Sequence, residues 1–241
     1  MSMPAIDIID LSYAYPDGTP ALDHVTLTIP HGQKVALIGP NGAGKTTLLL
    51  AMGGFVTGSG RILIDGVERT AKTLKPLRAV VGCCMENPDD QLFMPTLRED
   101  VAFGPLNMGL ALEEVHLRVR TALQTVGLME MADRPPHHLS AGQKRAAAVA
   151  TVLSMSPKII TLDEPDGSLD PRNRRTLAGL LRRLAQTLVL ATCNMTFSAA
   201  VADRAILVDH GRIIADGDVT TVMGDRALME GHGLEVPMGS I

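Results

Sequence analysis

Residues 39–46 read Gly39-Pro40-Asn41-Gly42-Ala43-Gly44-Lys45-Thr46, a glycine-rich run closed by a lysine and a hydroxyl residue. The pattern is G-x-x-x-x-G-K-[ST]; it follows the apolar run KVALI and precedes the helix-compatible run TLLLAM. Glycines without a Cβ let successive backbone N–H groups turn toward one anion, and a helix N-terminus adds partial positive charge there. In such a loop Lys45 is placed to pair with β- and γ-phosphates, and the Thr46 hydroxyl to ligate Mg²⁺. A second group follows far along the chain. Lys158 to Asp163 reads K-I-I-T-L-D, an apolar strand pattern ending in a carboxylate, with Glu164 and Pro165 next. Carboxylates at the C-terminal end of a parallel strand lie where ligands bind in α/β sheets. Asp163 is expected to hold Mg²⁺ through its water shell, and Glu164 to polarise a water for in-line attack on a γ-phosphate. Each group alone has a plainer reading, a glycine turn for one and a solvated strand end for the other; together they favour phosphate chemistry.

Bringing these groups together requires a parallel sheet. Runs rich in Val, Ile and Leu at Ile159 to Leu162, Leu188 to Ala191 and Ala205 to Val208 alternate with helical patterns, as a parallel sheet covered by helices demands. Before them, the short runs Ile6 to Leu11 and Val25 to Ile29, joined by the turn-prone PDGTP, predict an antiparallel β start. Glu113 to Val126 has helical spacing, with Val115, Val119, Ala122, Leu123 and Val126 on one face. It is expected in a helical sub-domain of about 94–157. No repeat or linker divides the chain, so a single domain spanning 1–241 is predicted.

Composition narrows the function classes. With 241 residues, 46% of them hydrophobic, the chain can bury a full-size core. Its 22 Lys and Arg against 26 Asp and Glu give a net charge of −4, so no basic field gathers nucleic acid. The stretch Leu184 to Ala202 lacks charged residues, but Gln186, Thr187, Thr192, Asn194, Thr196 and Ser198 argue against a membrane span. The N-terminus MSMPAIDIID carries acids where a signal peptide has a basic region, and three cysteines give no even disulfide framework. A reduced, cytosolic chain is expected. Adjacent Cys83 and Cys84 lack a second ligand pair and are read as strand residues. The thirteen methionines are read as core filler, and His137 and His138 as a helix-entry loop.

Leu139-Ser140-Ala141-Gly142-Gln143 lies between the two phosphate motifs and leads into KRAAAVATVLSM. With the phosphate loop and the L-D-E-P strand, it makes the chain resemble the ATP-binding-cassette ATPases, whose signature usually reads L-S-G-G-Q. The resemblance runs from about Ile6 to Gly217. It implies an α/β P-loop NTPase fold with a RecA-like parallel-sheet core, an N-terminal antiparallel β sub-domain and a helical sub-domain. It also implies ATP and Mg²⁺ as cofactors, with two such domains clamping two ATP molecules head to tail. On that basis Gly39, Pro40, Asn41, Gly42, Ala43, Gly44, Lys45, Thr46 and Thr47 bind ATP in one subunit. Ser140 and the N–H of Gly142 meet the γ-phosphate held by the other, and Gln143 is a further ATP-binding residue there. Ala141 replaces the more usual first glycine. Tyr15 fits the aromatic that stacks on adenine, with Tyr13 as a second reading. Gly167-Ser168-Leu169-Asp170 resembles the D-loop between the two sites, and Asp170 before Pro171 also fits a helix N-cap.

Two positions depart from that family. Glu86 stands where a glutamine ligates Mg²⁺; it can still ligate, but places a negative charge beside a triphosphate. Cys193 stands where a histidine reaches the γ-phosphate, and a neutral thiol is a weak donor. ATP binding with slowed hydrolysis is therefore expected, with Glu164 still present as general base.

Within the family, N-P-D-D-Q-L-F at Asn87 to Phe93, E-D-V-A-F-G-P at Glu99 to Pro105 and H-G-L-E-V-P at His232 to Pro237 resemble the energy-coupling-factor importers, most closely their cobalt and nickel ATPases. The implied partners are a second ATPase subunit (a copy or a paralogue), a transmembrane T component and a substrate-binding membrane subunit. Asp90, Gln91 and Phe93 are the candidates for membrane-partner contact. The implied location is the cytoplasmic face of the cell membrane, peripheral. The alternatives are a catalytically weak regulatory subunit paired with an active paralogue, a vitamin importer ATPase, and a soluble DNA-repair or translation ATPase.

Overall fold

Runs of β-branched and leucine residues alternate with helix-compatible segments and build two sheets with covering helices. The computed structural model describes residues 3–237, so Met1 and Ser2 of the N-terminal reading, and positions 238–241 of the expected domain, lie outside the described residues. The strands in chain order are β1 (Ile6–Ala14), β2 (Pro20–Ile29), β3 (Lys34–Ile38), β4 (Ser59–Ile64), β5 (Val67–Glu68), β6 (Val81–Cys84), β7 (Ile159–Asp163), β8 (Thr187–Ala191), β9 (Arg204–Asp209) and β10 (Arg212–Asp218). The helices are α1 (Lys45–Gly53), α2 (Leu74–Leu77), α3 (Leu97–Asn107), α4 (Leu112–Thr125), α5 (Ala141–Leu153), α6 (Pro171–Arg183), α7 (Met195–Val201), α8 (Val219–Gly224) and α9 (Arg226–Gly231).

The first sheet is antiparallel, in the order β2-β1-β4-β5. Its β1 and β2 run longer than the sequence pattern predicts and close the PDGTP segment to a tight turn, in which Tyr15 N–H donates to the Thr19 carbonyl at 2.9 Å. The second sheet has the order β10-β9-β3-β8-β7-β6. Its β9, β3, β8, β7 and β6 are parallel, and both β3 and β8 are buried along their whole length, because helices cover both faces. The sheet is not purely parallel as expected: β10 pairs antiparallel with β9 at the edge. The cause is local. His210 and Gly211 take φ of 46° and 75°, the left-handed pair that folds a chain straight back on itself.

The stretch Leu184 to Ala202 becomes β8 and α7, with Thr187, Thr192 and Ser198 buried inside the protein. Among the described residues no helix is long and apolar enough to cross a membrane. The helical layer has its own core, formed by Leu97, Val101, Val115, Val119, Leu123 and their neighbours. The amphipathic helix α4 lies one residue earlier than its pattern, with Val126 as C-cap, and buries Val115, Val119, Ala122 and Leu123. Helix α5 belongs to both cores: Ala147 and Ala150 face the helical layer, while Val149 and Val152 face the sheet. Thr96 and Glu99 form a capping box at α3, and Ser140 and Gln143 another at α5.

Candidate functional site

Parallel strands place their carboxyl ends on one edge, and the register aligns Asp163 with Ala191, Leu37 with Ala191 and Cys84 with Leu162. The residues that follow β3, β6, β7 and β8 therefore meet. They are the phosphate loop, Glu86, Glu164 and Cys193, and none is near all the others in sequence.

The loop 39–44 folds through left-handed glycines, with φ of 149° at Gly39, 79° at Gly42 and 105° at Gly44. Two of these admit no side chain: a Cβ on Gly39 would lie 2.0 Å from the Val208 carbonyl oxygen, and one on Gly44 2.4 Å from that of Ala21. Helix α1 begins at Lys45 with no acid in its first turn, so its N-terminal field is uncancelled. The Lys45 ammonium donates to the carbonyls of Gly39 at 2.8 Å and Pro40 at 2.9 Å.

Thr46 Oγ1 donates to Asp163 Oδ1 at 3.1 Å, and Glu86 lines the same cavity of about 240 Å³. Burial raises the Asp163 carboxyl above its ordinary range against the Thr46 hydrogen bond, and the charges of Glu86 and Glu164 raise it further. A hydroxyl and carboxylates pressed together with too much negative charge are the hard-oxygen set that suits Mg²⁺. The added charge of Glu86 is partly met by Arg145, which donates to the carbonyls of Met85 (3.3 Å) and Glu86.

Glu164 takes a left-handed φ of 40°, and its Oε2 accepts the Cys193 N–H at 3.3 Å. The Cys193 thiol donates to Asn41 Oδ1 at 3.1 Å and lies 3.9 Å from Lys45 Nζ. Burial, then the Glu164 carboxylate, raises the thiol's pKa, against the opposite pull of Lys45, so it is neutral. Asn41, Glu164 and Cys193 line a cleft of about 680 Å³ together with Asp166, Arg174, Thr192 and the segment 233–237.

Asp166, Thr192, Arg174 and Arg145 were missed by motif spacing. Asp166 and Thr192 are buried and bonded at 2.6 Å, and Arg174 Nε lies 3.4 Å from the other Asp166 oxygen. The available signal for Asp166 was a third acid directly after the D-E-P run.

Tyr15 is exposed, with its hydroxyl 2.8 Å from Thr47 Oγ1; Tyr13 packs edge-on against it and toward the core. Thr47 is therefore turned to Tyr15. Ser140, Gly142 and Gln143 lie at the start of α5, where Ser140 Oγ accepts the Gln143 N–H at 3.3 Å and Gln143 Oε1 accepts that of Ser140 at 2.9 Å. The polar contacts of Lys45 within the chain do not include them. Gly142 abuts Asn173, and a Cβ there would lie 2.8 Å from its side chain. Asn173 in turn binds Asp170, which caps α6. Asp170 is held below the usual carboxylate range, chiefly by the Asn173 N–H.

The expected membrane-contact residues separate. Phe93 is 60% exposed and stacks edge-on with Phe103 at 5.0 Å; Asp90 is exposed as well. Gln91 is turned inward, donating to the Ala148 carbonyl at 2.9 Å and Thr151 Oγ1 at 2.7 Å while accepting the Met85 N–H at 3.0 Å. All its polar atoms are used within the chain, so it supports the loop rather than offering a free contact. The backbone N–H groups of Phe93 and Met94 both donate to Asp100 Oδ1, at 3.0 Å each. Cys84 is buried and Cys83 half-buried in β6, and the rings of His137 and His138 stand 4.3 Å apart before α5.

Comparison with known proteins agrees with this geometry. The family model described as ABC transporter matches residues 22–167. A putative ABC transporter ATP-binding protein of Streptomyces avermitilis is 46% identical over 99% of this chain and 92% of its own. The energy-coupling factor transporter ATP-binding protein EcfA of Carboxydothermus hydrogenoformans is 42% identical over 97% of this chain and 88% of its own. Among solved structures, cbiO1 of Clostridium perfringens, described as part of the ABC transporter complex cbiONQ, superposes with a TM-score of 0.86 at 34% identity, covering 95% of this chain and 94% of its own. A dimeric post-hydrolysis state of the ATP-binding cassette MJ0796 bound to ADP and Pi gives a TM-score of 0.78 at 25% identity, over 89% of this chain and 98% of its own.

Proposed function

The chain belongs to the ABC transporter family, and on that premise we propose that it powers an energy-coupling-factor importer for a transition metal ion, cobalt or nickel. It is an ATPase whose hydrolysis of ATP is coupled to transport, with Mg²⁺ as cofactor. Bound Mg²⁺ supplies charge neutralisation on the phosphates, and Thr46, Asp163 and Glu86 would hold it. Lys45 and the loop N–H groups take the β- and γ-phosphates, and Glu164 accepts a proton from the attacking water. Ser140 and Gly142 of a second copy, or of a paralogue, complete the site across a head-to-tail dimer. Hydrolysis is slowed because Cys193 offers no imidazole.

The observation that carries the transport reading is the apolar cleft of about 530 Å³ beside the loop 85–93. Phe55, Phe93, Phe103 and Met85 are exposed along it, and Gln91 ties its floor to α5. A surface of that kind fits a short apolar helix of a membrane T component, which in turn moves the substrate-binding subunit. The chain then lies peripherally on the cytoplasmic face of the membrane. The H-G-L-E-V-P and N-P-D-D-Q-L-F segments support the metal reading through their resemblance to the cobalt and nickel ATPases, with a vitamin as the alternative cargo. The regulatory alternative draws on Cys193 and Glu86 alone.

The test is co-purification of the tagged chain with membrane protein from detergent extracts, followed by uptake of radioactive cobalt, nickel or a vitamin into vesicles carrying the complex. Phe93→Ser is expected to lose the membrane partner while retaining ATP binding. Retention on nucleic acid instead of membrane protein, or vitamin uptake alone, would sink the metal-importer reading.

A further inference from the structure

Asp166 is 4% exposed and lies two residues beyond Glu164. A buried carboxylate is tolerated only when paired, so its partners define its use. One oxygen accepts the Thr192 hydroxyl at 2.6 Å, and Thr192 itself is fully buried just past β8. The Thr192 oxygen also accepts the Asn194 N–H at 3.0 Å, which tightens the turn around Cys193. The other Asp166 oxygen faces Arg174 Nε at 3.4 Å, and a second Arg174 nitrogen donates to the Leu169 carbonyl at 3.1 Å. Arg145, from α5, adds its positive charge on the same carboxylate. Within this frame stands Glu164 in its left-handed conformation, a strained arrangement that persists only when its surroundings enforce it.

We propose that Asp166 is a positioning residue for ATP hydrolysis. Through Thr192 it pins the Cys193 turn so that the Cys193 N–H aims the Glu164 carboxylate, and through Arg174 it ties that alignment to the helix beginning at Asp170. The proposal rests on reading Glu164 as the group that polarises the attacking water. The chemistry itself stays with Glu164; Asp166 acts through Thr192 and Arg174.

Two measurements on the full chain test it. Alkylation of Cys193 by iodoacetamide, followed on its peptide by mass spectrometry, reads the turn without needing turnover, with buried Cys84 as internal reference. Phosphate release with Mg²⁺ and ATP gives kcat and KM. Asp166→Asn and Thr192→Val should each raise the Cys193 alkylation rate about tenfold and lower kcat about tenfold, the worth of one buried charge-assisted hydrogen bond, while KM stays within about twofold. Thr192→Ser keeps the hydroxyl and should behave as the natural protein. The double variant should be no worse than the worse single one, because both break one link. Unchanged alkylation in both single variants overturns the proposal, as do additive effects in the double variant or a rise in KM at constant kcat. If Cys84 becomes equally reactive, the variant has unfolded, and the contrast between Thr192→Ser and Thr192→Val decides. Glu164→Gln, run in parallel, separates the two readings. If it retains turnover while Thr192→Val still loosens Cys193, the Glu164 role fails and the pinning stands. If it abolishes turnover while Cys193 alkylation never changes, the pinning fails and the Glu164 role stands.

Discussion

The backbone N–H of Cys193 and the Glu164 carboxylate are bonded at 3.3 Å, so the residue standing in for an imidazole holds the general-base candidate by its main chain. Its thiol is spent on Asn41, at 3.1 Å. The main-chain contact survives any side chain at position 193, so only the side-chain contribution is lost. Cys193→His should therefore raise kcat about tenfold or more, the worth of a charge-assisted hydrogen bond made in the transition state. Glu164→Gln should lower it by at least about a hundredfold. Steady-state phosphate release checks both, and a His variant no faster than the natural protein would leave the slow-switch reading without support.

Glu86, Asp163 and Glu164 share one end of the sheet, and Arg145 offsets only part of their charge. Without Mg²⁺ the triphosphate meets that charge unscreened. Glu86→Gln should tighten Mg²⁺-free ATP binding about fivefold, or about 1 kcal/mol for one partly screened charge, and should weaken the Mg²⁺ dependence of binding. Titration calorimetry with and without EDTA is the measurement; equal affinities for both proteins would mean that Arg145 neutralises Glu86 fully.

Tyr15 leaves its ring partly exposed and anchors its hydroxyl on Thr47 at 2.8 Å. If the ring stacks on adenine, Tyr15→Ala should weaken ATP binding about tenfold with little change in kcat, while Tyr15→Phe should stay within about twofold. A fluorescent-nucleotide titration distinguishes them. Equal losses in Phe and Ala variants would assign the effect to the hydroxyl and Thr47 instead.

His232 Nδ1 and Asp209 Oδ2 lie 2.7 Å apart and clip the segment 233–237 to the end of β9. The His232 hydrogen bond holds the Asp209 carboxyl below its ordinary range. A depressed carboxylate stabilises the fold above its unfolded pKa, and the contribution is lost as pH falls through the lower, folded value. His232→Ala should thus reduce the thermal midpoint at neutral pH, with the difference from the natural protein shrinking in acid. Calorimetric scans from neutral to acid pH show this; a constant difference would assign the loss to packing.

Legibility in the sequence followed the range of each signal. The phosphate loop and the L-D-E-P strand were readable because local backbone demands, glycine φ and a buried apolar strand, impose their residues directly. Helix α4 was readable to within one residue from its buried stripe. Strand β10 was not, since its alternating half-exposed pattern acquires meaning only when the His210-Gly211 turn lays it on β9. Gln91 illustrates the limit for single residues: an exposed-looking loop amide whose three bonds go to Met85, Ala148 and Thr151, the last two about sixty positions away. The pairing of Asp166 with Thr192, 26 positions apart, was invisible for the same reason.

Helix α5 carries side chains in the cores of both layers, begins at the Ser140 cap and receives Gln91 midway along its length. It cannot turn with one layer and stay still in the other. On the proposed function, a push arriving at Phe93 and a tug on a nucleotide gripped by Ser140 would therefore be displacements of one rigid shaft. In the proposed importer, cargo movement and the closing of the neighbouring subunit's jaw would share a single mechanical degree of freedom.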